Sequence, residues 1–281
     1  MMKEISAALA AALACLVLPY LALAPASVLG QTEGESPAAL IARMVAHELA
    51  DREQTSYWMY HIDKTVDGHT NSEEQVETSK GPIFRVLALD GTPLDAQQRS
   101  ADDKRIQNLL NDPEAQHKVK QEHDADEQRV RELTAELPKA FLYEFDGMEG
   151  DNIRLRFKPN PSFVPPNFQS RPFTKVAGTI VIEPHQARLI RIDGRITDDV
   201  EFGFGLLGRI DKGGRFAIAR QPVTATHWKT RLVDVHVSGR VILFKSISKQ
   251  QHDERRDFKP VPLDITLEQA VALLQEHAPE P

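Results

Sequence analysis

The stretch that decides the fold is NIRLRFK, residues 152–158, in which Ile153, Leu155 and Phe157 alternate with basic side chains. A period of two places alternate residues on opposite faces of a β-strand, so one face is predicted to be buried and the other solvated. The alternation returns along the second half of the chain, with turn residues between the runs. These runs are residues 178–183, 188–196, 200–210, 215–220, 231–237 and 240–247. Consecutive strands of this kind predict a long antiparallel β-meander.

The first half of the chain mixes helical and strand patterns. Ser36 and Pro37 form an N-cap and first-turn pair, and apolar residues at helical spacing follow, so an amphipathic helix is predicted over residues 37–52. Aromatic and β-branched residues, bounded by turn signals, predict strands at 56–66, 74–79 and 83–89. A last helix is predicted within residues 263–278, where Leu267, Val271 and Leu274 have helical spacing.

Residues 95–137 differ from the segments on either side. Charge is dense, glycine is absent, and the apolar positions form a narrow stripe. This pattern predicts a solvated helical insertion, either a hairpin or a long helix broken near Pro113 and packed along one edge.

The N-terminus has the pattern of a secretory signal. Lys3 precedes an apolar run, and small residues follow it. Residues 1–30 are therefore predicted to be removed, with a mature chain that starts between Ser27 and Gln31 in the periplasm or outside the cell. The alternatives are a single-pass anchor and lipidation at Cys15. The predicted organisation is this signal, one curved-sheet domain over 31–260 and a C-terminal helix and tail over 261–281.

Composition excludes several classes of function. The net charge of −7 gives no general attraction for nucleic acid, so no nucleic-acid partner is expected. Cys15 is the only cysteine, and it leaves with the predicted signal. A mature chain without thiols has no disulfide, no thiolate nucleophile and no cysteine metal site.

No catalytic, metal or cofactor motif emerges from the sequence. The ten histidines include no HExxH pair, and no serine lies in a G-x-S-x-G elbow. The glycine-rich run FGFGLLG, residues 202–208, lacks the Lys-Ser/Thr of a phosphate loop. Alternate glycines in a strand instead permit bending or the close approach of a ring, so they predict strong curvature of the sheet. We therefore expect neither catalytic residues, nor a bound metal, nor a cofactor.

The loop PNPSFVPPNFQSRPF, residues 159–173, is stiffened by prolines and contains several large apolar side chains. Its aromatic side chains are expected either to plug the end of the sheet or to form a lid over a cavity. In the lid interpretation, the candidate ligand-binding residues are aromatic side chains of the loop and of the strands beside it. These are Phe163, Phe168, Phe202, Phe204 and Trp228.

The hairpin GTIVIEPHQARLIRIDG, residues 178–194, is similar to the G-x-[IV]-x-I-D…L-x-R-I hairpin of the periplasmic lipoprotein-carrier superfamily of LolA and LolB type, which includes proteins of RseB type. The order of signal, helix, strands and long meander resembles the same superfamily over residues 37–250. The insertion at 95–137 departs from the superfamily pattern. The resemblance implies an α+β half-barrel: a strongly curved antiparallel sheet with helices on its concave side, and an apolar hollow that holds acyl chains or a partner segment. It implies no catalysis.

These observations favour an exported, non-enzymatic binding or carrier protein whose partner is a lipid or a lipidated protein, with membrane contact that is peripheral at most. Two other classes stay open. An envelope scaffold or regulator-binding protein would have a filled core and an exposed apolar patch. A hydrolase would have close, partly buried carboxylates or a His-acid pair in a cleft.

Overall fold

The computed structural model describes residues 35–53, 56–203, 208–241 and 245–276 of the chain. The predicted signal at 1–30, with Cys15, lies outside these residues, so export stays a prediction. No helix within the described ranges is long and apolar enough to cross a membrane.

Most of the predicted helices and strands are present with changed bounds, and Thr92–Pro93 and Phe141–Glu149 are additional strands. The helices are α1 (Pro37–Glu53), α2 (Ala96–Asn111), α3 (Pro113–Ala140) and α4 (Leu267–Glu276), with a 3-10 turn at Arg171–Lys175. The strands are β1 (Tyr57–Val66), β2 (His69–Val76), β3 (Ile83–Leu89), β4 (Thr92–Pro93), β5 (Phe141–Glu149), β6 (Asn152–Pro159), β7 (Val176–Glu183), β8 (Arg188–Ile196), β9 (Val200–Phe202), β10 (Gly208–Ile210), β11 (Arg215–Pro222), β12 (Trp228–Val241) and β13 (Lys245–Val261).

The strands hydrogen-bond in the order β4-β3-β2-β1-β13-β12-β11-β8-β7-β6-β5, and β10 joins β12 to β9. The registered pairs are antiparallel. The protein is therefore an α+β protein with a large, unclosed antiparallel sheet. This much of the predicted fold class is confirmed.

The chain divides into two compact units, neither of which is a continuous stretch. The first comprises residues up to 53 together with 129–219 and 238–247, and the second comprises 54–128, 220–237 and the chain from 248 onwards. Helix α3 and strands β11, β12 and β13 each contribute residues to both units.

The core of the first unit lies between α1 and the apolar face of β5–β8. Cross-strand pairing places Leu155 beside Ile180 and Ile180 beside Ile192, and all three side chains are buried. Helix α1 covers β5 and β8 with one stripe of buried residues. These are Leu40, Ile41, Met44, Val45, Glu48 and Leu49. The C-terminal end of the helix is fixed by a bidentate ion pair, in which Arg188 donates to Asp51 over 2.6 and 2.9 Å.

Two paired glycines shape this face. Gly178 lies opposite Gly194 in the β7–β8 ladder, and Gly194 lies opposite Phe216 in the β8–β11 ladder. A Cβ atom at Gly194 would come within 2.1 Å of Cζ of Phe216, so the ring lies directly over the glycine backbone. The close approach of a ring, predicted for the glycines of 202–208, occurs here, one hairpin earlier.

The second unit has its own core. Met59, Val76 and Ile83 of the strands pack against Ile106 of α2 and the apolar face of α4. The predicted break near Pro113 is confirmed, because α2 ends at Asn111 and Asp112 caps α3 by accepting hydrogen bonds from the backbone N–H groups of Glu114 and Ala115. Asp95 starts α2 with a capping box.

Several predicted boundaries were wrong. The run 200–210 was expected to be one strand, but it contains β9 and β10, which pair antiparallel with each other. The strand expected at 74–79 is β2, which begins at His69 and ends at Val76. A turn was expected between 237 and 240, but β12 runs through it because Gly239 lets β10 pair closely. The chain was expected to leave the sheet after Ile247, but β13 continues to Val261. Residues 141–149 form β5, a strand that the sequence does not predict.

The predicted parity of β9 is confirmed over its described residues. Val200 and Phe202 are buried, and Glu201 between them is exposed.

Candidate functional site

The loop 159–173 belongs to the first unit and is held at both ends by hydrogen bonds. At its start, Nδ2 of Asn160 donates to the Lys139 carbonyl over 2.9 Å, and its backbone N–H donates to the Ala140 carbonyl over 2.8 Å. At its end, Oγ of the fully buried Ser170 donates to Oδ1 of Asn167 over 3.1 Å, and Arg171 donates to the Glu201 carbonyl. With prolines between these anchors, the loop has little conformational freedom.

The two ends of the loop complete the aromatic core of the first unit. Phe173 is buried with its ring centroid 5.3 Å from that of Phe141, and Phe141 in turn lies 4.9 Å from Phe157. The ring of Phe163 lies 6.5 Å from that of Phe173. Tyr143 closes the cluster, and its hydroxyl donates to the Leu137 carbonyl while burial raises its pKa. This part of the loop is the plug that the sequence predicted.

The middle of the loop is different, because it leaves apolar side chains in solvent. Val164 is 82% exposed and Phe168 is 38% exposed. The ring of Phe168 lies 4.3 Å from that of Phe202, which is itself buried. We call Phe163, Val164, Phe168 and Phe202 the aromatic rim. Val164 and Phe168 are its exposed members, and exposed apolar surface marks interaction sites where it is contiguous.

The rim contains three of the five predicted ligand-binding residues. In the first unit Phe168 lies against Phe202, whereas Phe163 lies against Phe173. Phe204 lies outside the described residues. Trp228 is buried in the second unit, near the Trp58–His227 contact. Val164 was left out of the predicted site, although its place between Phe163 and two prolines is a signal for an exposed loop tip.

The sheet of the second unit carries a cluster of one histidine and two acids. A His-acid pair is the kind of feature that was expected to favour an enzyme. Nε2 of His61 lies 3.2 Å from Oδ1 of Asp63, and its Nδ1 lies 3.6 Å from Oε2 of Glu74. Burial alone would raise the pKa of Asp63, but hydrogen bonds from Ser72, Arg256 and His61 outweigh it and hold that pKa at about 2.

The cluster has the wrong arrangement for nucleophilic catalysis. The Ser72 hydroxyl donates to Asp63 over 2.6 Å, so it is directed at the carboxylate and not at the imidazole that would have to accept its proton. Within the described part of the chain, no three His, Cys, Asp or Glu side chains are placed to hold a metal ion. We interpret the cluster as an ion-paired, hydrogen-bonded patch of the sheet.

Comparison with protein-family models, curated proteins and solved structures finds no match for this chain.

Proposed function

We propose that this protein is a non-enzymatic carrier that binds an apolar or amphipathic partner, a lipid or a lipidated protein, at the aromatic rim. The observation that carries the proposal is the loop itself. Hydrogen bonds from Asn160 and Arg171 fix its two ends, and Val164 and Phe168 are exposed between them. A surface already held in its binding conformation loses less entropy when a ligand arrives.

The proposal places a hollow beside the rim. In this proposal the sheet curves strongly around α1, which lies on its concave side, and the paired glycines at 178 and 194 are where a strand bends most easily. The ligand's apolar part enters between the rim and the sheet. Its affinity comes from burial of apolar surface, at about 25 cal/mol per Å², so it tolerates different acyl chains and is nearly insensitive to salt.

A fluorescent fatty-acid analogue titrated into the purified protein tests this. We expect saturable binding by wild type and a loss of binding in Phe168→Ser and Val164→Ser. Phe163→Ser should also lose binding, but that ring packs on Phe173, so its circular dichroism and thermal midpoint must be measured as well.

The matched control is Phe145→Ser, which removes an exposed aromatic side chain of the same unit away from the rim. Binding should be unchanged in this variant and unchanged between low and high salt. If wild type binds no analogue, the carrier proposal is wrong, and the exposed rim then favours the scaffold class. Equal loss in the control and the rim variants would likewise contradict a site at the rim.

A further inference from the structure

Two arginines face each other on the sheet of the first unit. Arg195 of β8 and Arg215 of β11 are directly opposite in the register of these strands, and we call them the arginine pair. The Ile196 N–H donates to the Gly214 carbonyl over 2.7 Å, so the ladder's hydrogen bonds lie beside the arginine pair and not within it. Side chains of such a non-hydrogen-bonded pair are closer together than those of a hydrogen-bonded pair. The ladder therefore places two positive side chains as near to each other as cross-strand neighbours come.

The arginine pair lies on the solvated face of the sheet. The next pair of the same ladder, Gly194 and Phe216, is on the buried face, and side chains alternate between the two faces along each strand. Both arginines are exposed, and the residue opposite Arg195 on β7 is the small Ala177. A ligand from solvent can therefore reach the two guanidinium groups.

The acids that flank the arginine pair on β8 are bound to other bases. Asp193 accepts a hydrogen bond from Nε of Arg191 over 2.6 Å, and Asp198 accepts one from Lys175 over 2.8 Å. Among the residues that the structure describes, no carboxylate forms an ion pair with either member of the arginine pair. The two positive charges are therefore not neutralised by this part of the chain.

An anion would remove the cost of this arrangement. Like charges directly opposite each other destabilise a β-ladder, and an anion between them replaces repulsion by attraction. The planar fork of a guanidinium group matches the oxygens of a phosphate, to which it donates two parallel hydrogen bonds. A phosphate monoester has roughly two negative charges at neutral pH, so one phosphate group balances two arginines.

We propose that the arginine pair binds a phosphate group, either inorganic phosphate or the phosphomonoester of a lipid headgroup. The phosphate lies between the two guanidinium groups and accepts hydrogen bonds from both. Neither arginine belongs to the aromatic rim, so this is a second site on the same unit.

Thermal unfolding in phosphate and in chloride at equal ionic strength tests the proposal. We expect phosphate to raise the thermal midpoint of wild type more than that of Arg195→Gln or Arg215→Gln, because a ligand that binds only the folded state stabilises it. Phosphate also stabilises proteins by its exclusion from their surface, and that smaller rise should remain in both variants. The dissociation constant, taken from the dependence of the midpoint on phosphate concentration, should increase about tenfold or more in each variant.

Midpoints in chloride alone test the repulsion itself. Both variants should unfold at a higher temperature than wild type there, because each has lost one of two facing like charges. The matched control is Arg240→Gln. Arg240 is an exposed arginine of the same unit that also lies opposite an arginine, Arg209, but Asp199 and Asp211 bind Arg209 over 3.1 and 2.9 Å. This control should keep both the wild-type midpoint and the wild-type response to phosphate.

Vesicles distinguish the two sources of the phosphate. If the ligand is a lipid headgroup, wild type should sediment with phosphatidylcholine vesicles that contain phosphatidic acid and not with phosphatidylcholine alone, and Arg215→Gln should stay in solution. If the ligand is inorganic phosphate, wild type should show the saturable response to phosphate and no preference between the vesicles.

The proposal is overturned if phosphate raises the midpoints of wild type and both variants equally and neither variant reduces binding to vesicles. A lower midpoint of both variants in chloride would also overturn it, because the arginines would then stabilise the ladder. Both variants should bind the fatty-acid analogue as wild type does, so failure of this proposal is distinguishable from failure of the proposal at the rim.

Discussion

At the scale of single residues, the ring of Phe216 approaches the backbone of Gly194 closely. Gly194→Ala would place a Cβ atom within 2.4 Å of two ring atoms, so the ring or the strand must move. We expect this substitution to destabilise the protein by about 1–3 kcal/mol, as overpacking of a core does. Urea denaturation followed by circular dichroism measures the loss.

The ring's part in that loss is isolated by a double-mutant cycle. In a Phe216→Leu background, Gly194→Ala should cost at least ~0.5 kcal/mol less, because leucine lacks the atoms nearest the new methyl group. Gly178→Ala is the matched control, since its Cβ would meet the Asp193 carbonyl oxygen at 1.9 Å, and Phe216→Leu does not relieve that backbone clash. Equal cost of Gly194→Ala in both backgrounds would show that the ring does not lie over the glycine.

This contact shows what the sequence alone does not determine at the scale of single residues. Glycines within strands are visible in the sequence, and they do predict the close approach of a ring. Which glycine meets which ring depends on the pairing of β8 with β11, two strands that other segments separate along the chain. The alternation that identifies a strand carries no information about its neighbour. For the same reason, Phe163 and Phe168 could be nominated from the sequence, but their contacts with Phe173 and Phe202 could not.

At the scale of elements, a buried carboxylate of helix α2 forms a hydrogen bond with β3. Asp102 accepts a hydrogen bond from the Val86 backbone N–H over 3.3 Å and two from Arg105 over 2.9 and 2.7 Å. The guanidinium of Arg105 lies 4.0 Å from the ring centroid of Phe84. The carboxylate therefore satisfies a strand donor and also orients the arginine that covers the strand.

We expect Asp102→Ala to destabilise the protein by about 1–3 kcal/mol, because it leaves a partly buried donor and a guanidinium without their acceptor. Asp124→Ala is the matched control. That carboxylate pairs with Lys120 over 2.6 Å on the solvated face of α3, and its loss should leave the free energy of unfolding nearly unchanged. Chemical denaturation of both variants decides the point, and equal losses would contradict the docking role of Asp102.

Elements whose apolar residues recur with a clear period could be predicted from the sequence. Elements stabilised by ion pairs could not. Strand β3 was predicted with its observed ends because it is an apolar run closed by a turn signal, and α1 to within one residue because it has one apolar stripe. The strand predicted from the sequence ends earlier than β13 does, because the second half of β13 carries charged residues on both faces. Its buried Asp253 is compensated by Gln251, which donates to it over 2.8 Å from the same strand. The sequence does not predict β5, whose acids are ion-paired with basic side chains of other strands.

At the scale of the whole molecule, the two units have separate cores, and this predicts separate local unfolding. Ile41 is fully buried in the first unit, and Leu274 is fully buried in the second. Truncation of such a side chain to alanine typically costs about 2–5 kcal/mol. If each unit opens by its own cooperative step, the cost should be felt in one unit and not in the other.

Hydrogen exchange measured by mass spectrometry on the two variants tests this. In Ile41→Ala, peptides from β6, β7 and β8 should exchange at least about tenfold faster while those from β1, β2 and β3 keep their wild-type rates. Leu274→Ala should give the reverse. Each variant serves as the control for the other, because both remove a similar side chain from a full core. Uniform acceleration across both sets of strands in either variant would show that the elements shared by the units, α3 and β11–β13, make the molecule unfold as one.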